Sequence, residues 1–143
     1  MIQKIEQDIR QFLKENADEA IVKKYSRYFN EGYDPYGVAF EKLSLKENEW
    51  FNTCQKELSP KEFLTLCDDL MSSGNSEEAS IVYHFLLRLR SEYSRNLFKI
   101  LGKWFEKYIT NWAHCDSFCR DILYQFLADG VIEFKELLAW ADS

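Results

Sequence analysis

Apolar residues recur along this chain with the 3.6-residue period of amphipathic helices, and no stretch shows the two-residue alternation of half-buried strands. Ile2, Ile5, Ile9, Phe12 and Leu13 share one face of a helix predicted over 2–15, and Ile21, Tyr25, Tyr28 and Phe29 one face of a helix over 18–30. Gly32, Tyr33, Asp34, Pro35, Tyr36 and Gly37 then interrupt the period with residues that tolerate or fix turn geometry. Further helices are predicted over 38–57, 60–72, 76–91, 94–109, 112–128 and 131–141. Four pairs read as capping boxes: Asn16 with Glu19, Ser44 with Glu47, Ser59 with Glu62 around Pro60, and Asn75 with Glu78. The pattern therefore predicts an all-α chain of about eight helices, whose short connections make neighbours antiparallel. Pairs of these helices repeat at about 35–40 residues, near the periods of TPR, HEAT and armadillo units. No residue-level repeat signature accompanies that period, so both a solenoid and a compact bundle fit it.

Composition narrows the class without choosing between those two. A chain of 143 residues with 46% hydrophobic and 16% aromatic residues, but only 5 Gly and 2 Pro, has enough apolar surface for one packed core and is neither collagen-like nor mainly disordered. No apolar run reaches the length of a membrane span and no signal peptide opens the chain, so the expectation is a cytoplasmic protein with no membrane partner. Cys54, Cys67, Cys115 and Cys119 all fall within apolar helical patterns, which predicts reduced thiols buried in the core.

Charge adds a local feature. The net charge of −6 and pI near 5.0 give no chain-wide attraction for nucleic acid. Between residues 81 and 110, however, Arg88, Arg90, Arg95, Lys99, Lys103 and Lys107 outnumber Glu92 and Glu106. Arg95, Lys99, Lys103 and Lys107 recur every four residues and form one helical stripe opposite Leu97, Ile100, Leu101 and Trp104. Such a stripe is either an ordinary solvated face or a surface for phosphates.

Candidate chemistry concentrates between residues 111 and 119. His114, Cys115 and Cys119 lie close in sequence, but the spacing lacks the framework of a zinc site, and adjacent residues on a helix point apart, so neither a metal nor a Cys–His nucleophile is expected. No glycine-rich phosphate loop or serine-hydrolase elbow occurs, and no cofactor is expected. Trp112 and Asp116, at i and i+4, project together from a helical turn. A carboxylate beside an aromatic face can stabilise a developing cation, while the same pair can also be a core tryptophan beside a capping aspartate.

The Trp-x-x-x-Asp-Ser stretch from Trp112 to Ser117, the Lys- and aromatic-rich helix before it and the Glu136–Trp140 element after it resemble the DNA alkylation repair family of HEAT-like alkylpurine DNA glycosylases. So does Lys24 to Phe29 leading into Tyr33, Asp34, Pro35, Tyr36 and Gly37. The resemblance runs in order over essentially the whole chain. It implies a superhelical solenoid of antiparallel helical pairs, of HEAT-like (ARM/HEAT) type, whose concave surface holds duplex DNA containing alkylated bases. It further implies release of cationic N3- and N7-alkylated purines by hydrolysis of the N-glycosidic bond, with the lesion left stacked. Asp116 would stabilise the oxocarbenium-like sugar and position water, Trp112 would contact the deoxyribose, and Tyr28 would stand on the concave wall. Arg88, Arg95, Lys99 and Lys103 are the matching candidates for contacts to DNA.

The chain departs from the family pattern in three respects. Ala113 stands where relatives often carry a second carboxylate, Ala39 and Phe40 replace a polar and proline pair, and an arginine-containing repeat with a further tryptophan is not found after Trp140. The expectation is one HEAT-like helical-repeat domain over 1–143, forming the N-terminal part of a longer superhelix, acting as a monomer and inactive on its own. The alternative function is a non-enzymatic helical scaffold that binds protein or DNA without chemistry.

Overall fold

The computed structural model describes residues 1–26, 35–109 and 112–141, with the side chains of Tyr25, Trp112, Ala113 and Ala141 outside that description. The described residues form helices and no strand: α1 (Ile2–Glu15), α2 (Glu19–Ser26), α3 (Phe40–Glu57), α4 (Pro60–Ser72), α5 (Ser76–Leu87), a 3₁₀ turn (Arg90–Glu92), α6 (Arg95–Lys107), α7 and α8 (Phe134–Ala141). Helix α7 is composite, α-helical over Trp112–Ser117, π-helical over Phe118–Leu123 and α-helical again over Tyr124–Ala128. The chain is all-α, and its helix order follows the periodicity closely.

Helices α4 and α5 form the middle of the fold. Helix α4 packs against α1, α5 and α6, and α5 packs against α3, α4 and α7. The contacts thus run in two rows, α1–α4–α6 and α3–α5–α7, as stacked helical pairs require. Each flanking helix contributes one stripe: Ile5, Ile9 and Leu13 from α1, Leu97, Phe98, Leu101 and Trp104 from α6. Helix α5, enclosed on several sides, buries Ala79, Ile81, Val82, Phe85 and Leu86. The Trp104 indole N–H donates to Asp68 Oδ1 at 3.0 Å, fastening α6 to α4. Tyr93 lies flat on Phe126 with ring centroids 4.3 Å apart and donates its hydroxyl to Leu86 O at 2.9 Å, which ties α7 back to the end of α5. Trp140 of α8 stacks on Phe98 at 4.6 Å across Gly102, where a Cβ would meet the indole at 3.2 Å.

Three of the four capping boxes differ from expectation. Ser59 and Glu62 form the full reciprocal box. Asn75 accepts from the Glu78 N–H, but the Glu78 carboxylate turns away to Arg10 of α1 at 2.9 Å. Asn16 ends α1, and the cap of α2 comes from Asp18, whose side chain accepts from the Ala20 N–H at 2.8 Å. Ser44 is interior to α3, so Glu47 is no capping residue; it occupies the buried stripe with Leu43, Trp50 and Cys54.

The turn before α3 is fixed at both ends. Glu77 accepts from the Tyr36 N–H at 2.7 Å and the Gly37 N–H at 3.3 Å, and the Asp18 N–H donates to Gly37 O at 2.8 Å. Gly37 has φ +81°, and a Cβ there would lie 2.3 Å from Asp18 O, so the backbone conformation and the crowding both demand glycine.

Candidate functional site

Helix α7 separates two environments. Its inward residues Phe118, Ile122, Leu123 and Phe126 are buried, the first against Tyr83 and Phe105. Its outward side opens on a hollow of about 700 Å³ lined by Asp116, Cys119, Arg120 and Tyr124. The π-helical turn lies between Asp116 and Tyr124, and its widened hydrogen bond runs from the Tyr124 N–H to Cys119 O. Such turns are rare and recur at functional sites. Nothing in the apolar spacing signalled it, because the sequence continues the inward stripe without a glycine or proline.

Arg120 is the best-anchored charge of the hollow. Its Nε and Nη2 donate to the two Asp121 oxygens at 2.9 and 2.8 Å, and the Tyr83 hydroxyl of α5 donates to the same carboxylate. Arg120 first, then Tyr83, hold the Asp121 carboxyl at about 2. Burial, together with the Asp121 charge, pushes the Tyr83 hydroxyl up. Asp116 itself is exposed, and among the described residues nothing donates a hydrogen bond to its carboxylate. Trp112 is the first residue of α7, one helical turn before Asp116; its side chain is outside the described part, and Tyr28 lies outside the described residues altogether.

A second recess lies on the other side of α7, between α3, α5 and α7, with a volume of about 310 Å³. Glu47 of α3, His84 of α5 and His114 of α7 face it. Glu47 is only 5% exposed, with its Oε2 3.7 Å from His84 Nδ1. Burial pushes the Glu47 carboxyl up to about 7, against the partial restraint of Arg88, and burial followed by Arg88 lowers His84. His114 is likewise lowered by burial, opposed by a hydrogen bond with the Ser76 backbone. The sequence held a signal for this recess: a glutamate at a core register of α3, absorbed there by the capping-box reading.

The basic candidates do not line the Asp116 hollow. Arg88 stands 5.3 Å over the Phe51 ring, Arg95 pairs with Glu136 of α8, and Lys99 and Lys103 line a hollow with Phe105 and Trp140. The cysteines divide. Cys54 and Cys67 are buried thiols, the first pushed up to about 11 by burial, whereas Cys115 is half-buried and Cys119 exposed, correcting the expectation that all four are core. Asp116 and Cys119 lie about one turn apart on the exposed side of α7, where both line the open hollow. No group of three metal-ligating side chains occurs among the described residues, and none of their helices is long and apolar enough to cross a membrane.

The family model described as DNA alkylation repair enzyme matches residues 9–143. No curated protein and no solved structure matches the chain.

Proposed function

Because the chain belongs to the DNA alkylation repair enzyme family, we propose that it acts in DNA repair as a glycosylase that excises cationic N3- and N7-alkylated purines from duplex DNA. The observation that carries this reading is the exposed Asp116 carboxylate, uncommitted among the described residues, on the open face of α7. An alkylated purine already bears positive charge, so it departs as a neutral base without a proton donor. The sugar left behind acquires oxocarbenium character, which a nearby carboxylate stabilises while orienting water for attack. Trp112, one turn earlier, would supply an aromatic wall to the deoxyribose. Arg120, pinned by Asp121, holds a guanidinium on the same open face as Asp116, where its N–H groups not used by Asp121 can meet a phosphate oxygen.

Lys99 and Lys103, exposed and without a partner among the described residues, are the proposed phosphate contacts, and each replaced by Ala should lower the salt dependence of DNA binding by about one phosphate contact. The deciding experiment measures base release from duplex DNA containing N7-methylguanine by the full-length gene product. Asp116→Asn should slow release by about 10²–10³-fold with little change in DNA affinity. Absence of release by the wild type, or equal rates in the variant, overturns the proposal. The scaffold reading has one observation in its favour, the separation of Lys99 and Lys103 from the Asp116 hollow. It is the conclusion if the wild type binds DNA and releases nothing.

A further inference from the structure

The recess between α3, α5 and α7 has no part in the chemistry proposed for Asp116, yet it is built as a ligand site. Its volume of about 310 Å³ is at the small end of cavities that hold organic ligands. Phe40, Leu43 and Glu47 recur at i, i+3 and i+7, so one stripe of α3 supplies its rim, wall and floor. At the rim Phe40 is 68% exposed, an aromatic face left in solvent beside an opening. Phe118 closes the apolar side. At the floor Glu47 is 5% exposed as a residue and turns its carboxyl to the recess, and no hydrogen bond reaches that carboxyl from the described residues; His84 stands at 3.7 Å. A buried carboxyl without a donor is costly, and a ligand that brings N–H groups removes that cost.

We infer that this recess binds a single nucleobase bearing an exocyclic amino group, stacked on Phe40 and hydrogen-bonded through that amino group to Glu47. A flat ring suits the aromatic rim, and stacking on one exposed side chain is how proteins hold an unpaired base. Guanine offers adjacent N–H donors that match both oxygens of one carboxylate, with a ring nitrogen or carbonyl left for the imidazole N–H of His84. Thymine, which lacks the amino group, presents a carbonyl where Glu47 needs a donor. The recognising chemistry is the same for a free nucleoside and for a base within a single strand. The inference rests on the proposed DNA substrate for its ligand class, but uses none of the residues assigned to base release.

The test is binding, not catalysis. Deoxyguanosine and thymidine are titrated into the protein and followed by saturation-transfer NMR and by amide shifts, with a six-nucleotide single strand containing one dG among thymidines as the second arm. Deoxyguanosine should bind at least about tenfold more tightly than thymidine and shift the amides of Phe40, Glu47 and His84. Phe40→Ala, a surface change that leaves the core intact, and Glu47→Gln should each weaken it about tenfold, while Asp116→Asn leaves it unchanged. Binding confined to the oligonucleotide, with the same response to the variants, supports the site and identifies its source as a base within a strand. Binding by neither probe, equal binding of thymidine, or indifference to both Phe40→Ala and Glu47→Gln overturns the inference. Loss of base release in Asp116→Asn with binding retained separates this result from the glycosylase proposal.

Discussion

Helices α3 and α5 meet twice, one helical turn apart, and with opposite chemistry. At the first meeting Phe51, Phe63 and Phe85 pack with centroids 5.8–6.4 Å apart, closed by the Arg88 guanidinium over Phe51. At the second, Glu47 faces His84 across 3.7 Å beside a recess. The first is what an interface between helices needs, since apolar area removed from water stabilises it and aromatic edges add to that. The second opposes folding only where the carboxyl is ionised, because burial disfavours its charged form and no hydrogen-bond donor compensates among the described residues. Glu78 shows how the same fold treats a buried carboxylate that serves structure: at 2% exposure it accepts from Arg10 Nε at 2.9 Å and so joins α1 to α5. Glu47 lacks such a partner, which marks its end of the interface as the part shaped by what enters the recess.

The contrast is broken most severely at its dry end. Phe85→Ala removes the ring shared by Phe51 and Phe63 and should cost about 3–5 kcal/mol in urea unfolding. A cost below about 1 kcal/mol would mean that this cluster does not hold α3 to α5. The wet end should show itself through pH. Glu47 is raised from 4.5 to about 7 in the folded protein, so the unfolded chain loses its proton first as pH increases. Stability from this group is fully present below about pH 4.5 and is lost as pH rises through about 7, on the order of 3 kcal/mol in all. His84 and His114, lowered in the folded state, act with the opposite sign and add stability as pH rises toward 6.5. Glu6 of α1, raised to about 7 by burial and by the hydrogen bond it shares with Asp69, acts with the same sign as Glu47. The difference between wild type and Glu47→Gln therefore isolates Glu47: the variant should gain relative stability from pH 4.5 to 7.5, and parallel curves would refute the assignment.

Much of this architecture was legible because helical amphipathicity is a local signal. The stripe Ile5, Ile9, Leu13 and the stripe Leu97, Leu101, Trp104 were each readable from spacing and are each buried. The all-α class follows from such stripes, and the row to which a helix belongs does not, because it depends on which stripes meet. The same limit applies to the sites. Asp116 is a candidate that the Trp112 to Ser117 motif alone can nominate, whereas Arg120 owes its fixed position to Tyr83, 37 positions earlier on α5, through Asp121. Glu47 was misread because Ser-x-x-Glu has the same local spelling inside a helix as at its start. The turn that ends before Phe40 needed no cap from Ser44, since Glu77 and Asp18 had already fixed Tyr36 and Gly37.

The smaller predictions sharpen the comparison by changing one end and reading the other. Glu47→Leu converts the wet contact into a dry one and should raise stability by about 1–2 kcal/mol at pH 8, where the native carboxyl is ionised and buried, while abolishing deoxyguanosine binding. A loss of stability would show that Glu47 is held by interactions as favourable as those of Glu78. Arg88 links the two ends, since it covers Phe51 and its charge acts on both Glu47 and His84. Arg88→Ala should cost about 0.5–1 kcal/mol through the lost contact with the ring. Its larger information is in two titrations. Removing a cation destabilises the Glu47 carboxylate and relieves the His84 imidazolium, so both pKa values should move up, by NMR of the carboxyl carbon and the imidazole. Movement in opposite directions would mean that Glu47 and His84 titrate against each other, and unmoved values that the Arg88 charge is spent on Phe51 alone.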